Sequence, residues 1–212
     1  MAIHITRLNG GNIVIGTDGG SSGHPDTWYK YANDTEWRTV SISGAIIGGD
    51  SSLTTQIPDA ANVVELEVGT NVTSIGDGAF GGSRNLMSVT IPDSVTSIGI
   101  SAFSGCYNVT SITFGNGVES IGSMAFGDCS SITNITIPDS VTIIESYAFH
   151  MCSSLTNITI PDSVTLIGTS AFGDSYGLTS VTITDNGGDA NNVKQMMIDA
   201  GVDENITWNM PS

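Results

Sequence analysis

The side chains able to do chemistry in this 212-residue chain are few and far apart. Its histidines are His4, His24 and His150, and its cysteines are Cys106, Cys129 and Cys152. G-x-S-x-G occurs once, at Gly19-Gly20-Ser21-Ser22-Gly23 in a run of Gly and Ser, and neither an H-E-x-x-H zinc helix nor a P-loop occurs. The glycine pairs Gly10-Gly11 and Gly48-Gly49 lack the strand-turn-helix setting that phosphate binding requires. The cysteines recur every 23 residues, in one register with Ser83 and Ser175 at its two ends, so the position calls for a small buried side chain. Metal binding needs ligands that converge, whereas equivalent positions of a repeat point the same way. Asp93, Asp139 and Asp162 follow Pro92, Pro138 and Pro161. One carboxylate per repeat is sparse against the roughly six to eight oxygens of a calcium site. These aspartates read as turn residues whose side chains bond the following backbone amides. No catalytic residue, cofactor or metal is expected, and hence no enzyme.

What remains is recognition by hydroxyls and amides. Three outward columns, polar except for Met87, alternate with apolar ones. The first holds Met87, Thr110, Thr133, Thr156 and Thr179, and the second Ser88, Ser111, Asn134, Asn157 and Ser180. The third holds Thr90, Thr113, Thr136, Thr159 and Thr182. From these the candidate binding face is Thr90, Ser111, Thr113, Asn134, Thr136, Asn157, Thr159 and Thr182. Thr is at home on an exposed strand, and the face lacks the Trp, Tyr and Arg that dominate protein hot spots. Regular hydroxyls would also suit a carbohydrate or an ordered-water surface of the ice-binding kind. The sequons at Asn71, Asn108, Asn134 and Asn157 arise naturally in repeats rich in Thr.

The elements that must position this face follow from a repeat. Ala-Phe recurs at Phe80, Phe103, Phe126, Phe149 and Phe172, a fixed step of 23 residues. Each Phe follows a segment of the type Val-Thr-Ser-Ile-Gly and precedes Leu-x-x-Val-x-Ile, which predicts strand, tight turn, strand. A period of about 20 to 29 residues with this spacing is that of a leucine-rich repeat, whose units bury their apolar side only by stacking. Stacked rungs lie about 4.8 Å apart, so five to six of them give a face on the order of 25–30 Å long.

Ile-Pro-Asp-Ser-Val-Thr at 91–96, 137–142 and 160–165, with Ala-Phe-x-x-Cys downstream, resembles the BspA-like leucine-rich repeat family. The resemblance covers about residues 62–183, and Ile57-Pro58-Asp59 is out of register with it. It implies a solenoid used for adhesion and protein binding without catalysis, with the second strand of each unit on the concave, ligand-facing side. It carries over no invariant functional residue.

The fold class expected is a leucine-rich-repeat solenoid, mainly β with short turns, between a small β-rich N-terminal module and a C-terminal capping helix. The module, for attachment or for capping the first rung, spans 1–56, the solenoid 57–185 and the C-terminal cap 186–212. The module holds Trp28, Tyr29, Tyr31 and Trp37, candidates for attachment or an interface. Asp189 to Ala200 reads as a helix with Val193, Met196, Met197 and Ala200 on one face.

Lys and Arg total 5 against 21 Asp and Glu, a net charge of −16, which excludes a binder driven by phosphate neutralisation. Only 12% of residues are charged, against about 25% typically, and Ser and Thr, about a quarter of the chain, supply the surface polarity instead. The expected partner is a protein or a glycan, with no nucleic acid and no membrane insertion. No signal peptide is seen. That suits a virion-associated or cytoplasmic protein, or an extracellular one whose leader has been removed. A phage fibre, tail or capsid decoration protein, attached or self-assembled through the N-terminal module, is the alternative function.

Overall fold

In the computed structural model of the chain, residues 72–211 are described in full and, before them, the backbone of five strands. These are β1 (His4–Leu8), β2 (Asn12–Gly16), β3 (Thr27–Tyr31), β4 (Arg38–Val40) and β5 (Val63–Leu66). β1 and β2 pair antiparallel, and β3 pairs antiparallel with both β4 and β5. β5 is the segment that aligns with the second strand of the repeat, yet its partner is β3. Trp28, Tyr29 and Tyr31 lie on β3; Trp37 and Ile57-Pro58-Asp59 lie outside the described residues.

From residue 72 the 23-residue period becomes geometry. The Ser-Ile pairs form short strands β6 (Ser74–Ile75), β8 (Ser97–Ile98), β10 (Ser120–Ile121), β12 (Ile143–Ile144) and β14 (Leu166–Ile167), joined in one parallel sheet. Its register places Ile75, Ile98, Ile121, Ile144 and Ile167 side by side. The Val-x-Ile segments form the longer strands β7 (Ser88–Thr90), β9 (Ser111–Thr113), β11 (Asn134–Thr136), β13 (Asn157–Pro161) and β15 (Ser180–Thr184). Each rung therefore turns once around a core of Val, Ile, Leu, Ala and Phe.

Between the two strands of a rung the chain makes a compact turn. Two residues in each turn have left-handed backbone: Gly78, Ser101, Met124, Tyr147 and Ser170 in one column, Gly82, Gly105, Asp128, Met151 and Asp174 in the other. Glycine does this without cost, whereas an L side chain pays about 1–2 kcal/mol. The conformation is enforced from outside, because the amides of Phe80, Phe103, Phe126 and Phe149 donate to Ala102, Ala125, Ala148 and Ala171 one rung on, at 2.6–2.8 Å. The same stacking aligns the phenyl rings, with centroids 4.9–5.5 Å apart and planes within 11° of parallel.

The cysteine column is a hydrogen-bonded one. The Sγ of Cys106, Cys129 and Cys152 donate to the carbonyls of Phe80, Phe103 and Phe126, and Ser175 Oγ donates to Phe149 in the same way. That is why Ser replaces Cys here: the site needs a small donor as well as a small volume. Burial pushes the Cys106 and Cys152 thiols from 9.0 up to about 12, and raises Cys129 likewise, so all three stay un-ionised at neutral pH.

The aspartates act across rungs. Asp77 Oδ1 accepts the amide of Ile100, Asp93 that of Asn116, and Asp162 that of Asn186. For Asp93 and Asp162 the sequence reading placed the bond within the same turn, whereas the stack brings the next rung's amide closer; Asp139 Oδ1 accepts the Asn186 side-chain amide instead.

After β15 the helix α1 (Ala190–Asp199) begins at Asp189, whose side chain accepts the Asn192 amide, and buries Val193 and Met197. Ala200 then offers its carbonyl to Phe172, the place a further rung's Ala would fill. Strand β16 (Thr207–Asn209) continues the long-strand sheet beside β15. The C-terminal segment thus closes the last rung by imitating one. Among the described residues no helix is long and apolar enough to cross a membrane.

Candidate functional site

The long strands place the expected face on one side. Ser111, Thr113, Asn134, Thr136 and Asn157 are exposed, and Thr90, Thr159 and Thr182 are half-buried. Thr90 lies beside Thr113, and Thr136, Thr159 and Thr182 follow one another in register. Asn157 Nδ2 donates to Asn134 Oδ1 at 2.9 Å, an amide ladder running along the stack. Thr182 is partly engaged, since Asn209 Nδ2 reaches its hydroxyl and that of Ser180. In the first Thr column the hydroxyls of Thr110, Thr156 and Thr179 donate to the carbonyls of Met87, Thr133 and Thr156. That column is tied to backbone.

The face is not continuous. β7 and β9 form one sheet, and β11, β13, β15 and β16 another. On either side of this seam the ladder is regular: Thr110 donates to Met87, Thr156 to Thr133, Ile91 to Thr113 and Ile137 to Thr159. Among the described residues the equivalent bonds, Thr133 to Thr110 and Phe114 to Thr136, are not made. The short-strand sheet and the Phe stack run through unbroken, so the opening is confined to this face.

Its cause lies at residues 114–117, where Phe-Gly-Asn-Gly stands in place of Ile-Pro-Asp-Ser. Phe114 is larger than Ile, and its ring meets Phe126 edge-on at 5.6 Å. Gly115 and Gly117 let the turn settle onto the preceding rung. A Cβ at Gly115 would lie 2.3 Å from the Pro92 carbonyl carbon, and one at Gly117 1.8 Å from the Asp93 oxygen. The Asn116 amide on Asp93, at 2.7 Å, holds the turn there. Drawn toward Pro92–Asp93, it leaves a cavity of about 480 Å³ on its other side, against Thr136–Asp139. A shallower one of about 710 Å³ lies between it and Thr90–Ser94.

The face is anionic, with Asp93 and Asp139 exposed and no Lys or Arg between Arg84 and Lys194. Among the described residues no cluster of three or more His, Cys, Asp or Glu gathers into a metal-like group. Sequence reasoning missed Phe114 to Gly117, although their departure from Ile-Pro-Asp-Ser was visible. It also missed the turn edge, where Tyr147 and Met151 are exposed at left-handed positions and Tyr176 is 86% exposed. His150 there packs edge-on to Tyr147 and lies 3.7 Å from Asp174.

Parallel strands in 23-residue register around a stacked Phe core define a leucine-rich-repeat solenoid. The profile of the BspA type leucine rich repeat region matches residues 62–192 in six copies, and the chain belongs to that family of repeat proteins. A leucine rich repeat protein of T. pallidum is similar at 37% identity and TM-score 0.52, over 53% of this chain and 52% of that one. A leucine rich cell surface protein of Faecalibacterium prausnitzii is 33% identical, TM-score 0.52, over 64% of this chain and 34% of its own. The pneumococcal vaccine antigen PcpA shares the fold at 19% identity and TM-score 0.54, over 68% of this chain and 35% of that one. The chain thus spans about half the length of the first of these and about a third of the other two. None of the curated proteins matches it in sequence.

Proposed function

We propose that the chain is a binding or adhesion scaffold, displayed at a cell surface, whose long-strand face contacts a protein or glycan partner. The N-terminal strands, with Trp28, Tyr29 and Tyr31 on β3, attach it. The observation that carries this reading is the exposed array of Ser111, Thr113, Asn134, Thr136 and Asn157, held in register by parallel strands on either side of the seam. Fixed polar groups on a preformed surface lose little entropy on binding. The F. prausnitzii relative, described as a cell surface protein, supports the location.

The test is an array of proteins and glycans probed with the full chain and with the double variant Thr113→Glu/Thr136→Glu. Binding is expected to fall about tenfold or more, as when a contact that matters is lost. The control Ser154→Glu, on an exposed turn away from the face, should leave it unchanged. Equal binding by all three proteins would move the contact surface elsewhere.

A further inference from the structure

We propose that the opening between β9 and β11 is a subsite for an uncharged sugar residue of a glycan. This rests on the reading of the long-strand face as the contact surface, and goes beyond it in naming one place and one ligand chemistry.

The opening is the deeper of two concavities beside the 114–117 turn, and it lies where the inter-rung ladder of the long strands is broken. At about 480 Å³ it is within the range of ligand sites, roughly 300–1,000 Å³. Both of its walls carry polar and apolar groups. Asn116 and Asp139 bring planar polar groups, Asp139 Oδ1 already accepting Asn186 Nδ2 at 2.9 Å, and Thr113, Thr136 and Thr159 line the same opening. Pro138, half-buried, supplies apolar surface beside these groups, with the buried Phe114 and Ile137 behind it. A pyranose needs that combination: amide and carboxylate partners for vicinal hydroxyls, and apolar carbon against its C–H face. The broken ladder adds main-chain groups. The Phe114 amide and the Thr136 carbonyl, without the inter-rung bond that their equivalents make, are a donor and an acceptor placed at the rim. Unmade bonds of this kind gain most from a ligand that supplies the missing partner.

Charge narrows the class. Asp139 lines the opening, Asp93 lies on the preceding rung, and no Lys or Arg falls between Arg84 and Lys194. Sialic acid, uronic acid or sulfated sugars would meet uncompensated repulsion there. A basic peptide would find the carboxylates, but it would leave the apolar wall and the hydroxyls unused. A neutral sugar uses all three.

The opening also has a local origin that can be reversed. Phe114→Ile, Gly115→Pro, Asn116→Asp and Gly117→Ser together restore the tetrapeptide found at 91–94, 137–140 and 160–163. A Cβ at 115 or 117 cannot remain against Pro92–Asp93, so the turn must move back toward Pro138 and close the gap. Because three rungs already carry this tetrapeptide, the variant keeps the fold.

The experiment is titration of the isotope-labelled full chain, followed by amide NMR. The probes are trisaccharides ending in glucose, galactose, mannose or N-acetylglucosamine, their sialylated or sulfated counterparts, and a lysine-rich peptide. At least one neutral trisaccharide is expected to shift resonances at 113–116 and 136–139. The fourfold variant should abolish those shifts, and Asp139→Asn should weaken binding roughly ten- to hundredfold. Neutral sugar binding that persists in the fourfold variant would overturn the subsite while leaving the face reading intact. So would a preference for the anionic sugars, or binding of the peptide alone. Binding of no probe, alongside a protein partner lost on Thr113→Glu/Thr136→Glu, would overturn only the subsite. Binding of no probe, with a partner insensitive to that variant, would remove both readings.

Discussion

Phe126→Ala is expected to lower the unfolding free energy by about 3–5 kcal/mol. The ring is fully buried, stacked between Phe103 at 5.1 Å and Phe149 at 5.4 Å, and met edge-on by Phe114. Truncation removes contacts on both sides and from the seam at once. The void has little means of collapse, because the Phe126 amide is fixed to Ala148 and its carbonyl takes the Cys152 Sγ. In a stack where each rung touches only its neighbours, a central loss also weakens the coupling between the halves. Urea denaturation followed by circular dichroism should show a lower midpoint and, where the halves separate, a shallower slope. A loss under about 1 kcal/mol would mean that the Phe column is not the main apolar support.

Gly168→Ala is the second large effect, about 1–3 kcal/mol of destabilisation from the addition of one methyl group. The new Cβ would lie 2.3 Å from the Ser146 nitrogen and 2.7 Å from the Glu145 carbonyl carbon, both backbone atoms that cannot yield without parting the rungs. Glu145 occupies the same column one rung earlier, and there its Oε2 accepts the Ser123 amide. The column is therefore closed at 168 by the approach of neighbouring backbone and not by the conformation of the residue itself. Thermal unfolding of the variant beside the parent measures the cost; an unchanged midpoint would mean that the rungs are less tightly stacked than the ladder implies.

Much of this architecture is legible in the sequence because a solenoid turns sequence period into spatial neighbourhood. Phe80 to Phe172 announce a stacked core, and Asp189 with Gly201 brackets the closing helix. Properties that depend on a neighbouring rung are harder to read. Cys106, Cys129 and Cys152 show a demand for smallness but not the Phe carbonyl each one caps. The aspartates show a turn, but not that the amide they hold belongs to the next one. Tyr147 and Met151 give no sign of left-handed backbone except that Gly78 and Gly82 precede them in the same columns. For the candidate face, Thr113, Asn134 and Thr136 were found by alternation alone. The opening beside them was not, because alternation is blind to how a Gly-Asn-Gly turn divides the space between two rungs.

The subsite on the long-strand face rests on that local opening, and amide hydrogen exchange on the full chain tests the opening most directly. In the expected result Phe114 and Thr133 exchange fast, while Ile91, Ile137, Thr110, Thr156 and Thr179, their bonded equivalents, stay protected. Equal protection of Phe114 and Thr133 with the others would contradict it. The ladder would then run unbroken across the face, and the site would reduce to an ordinary strand surface.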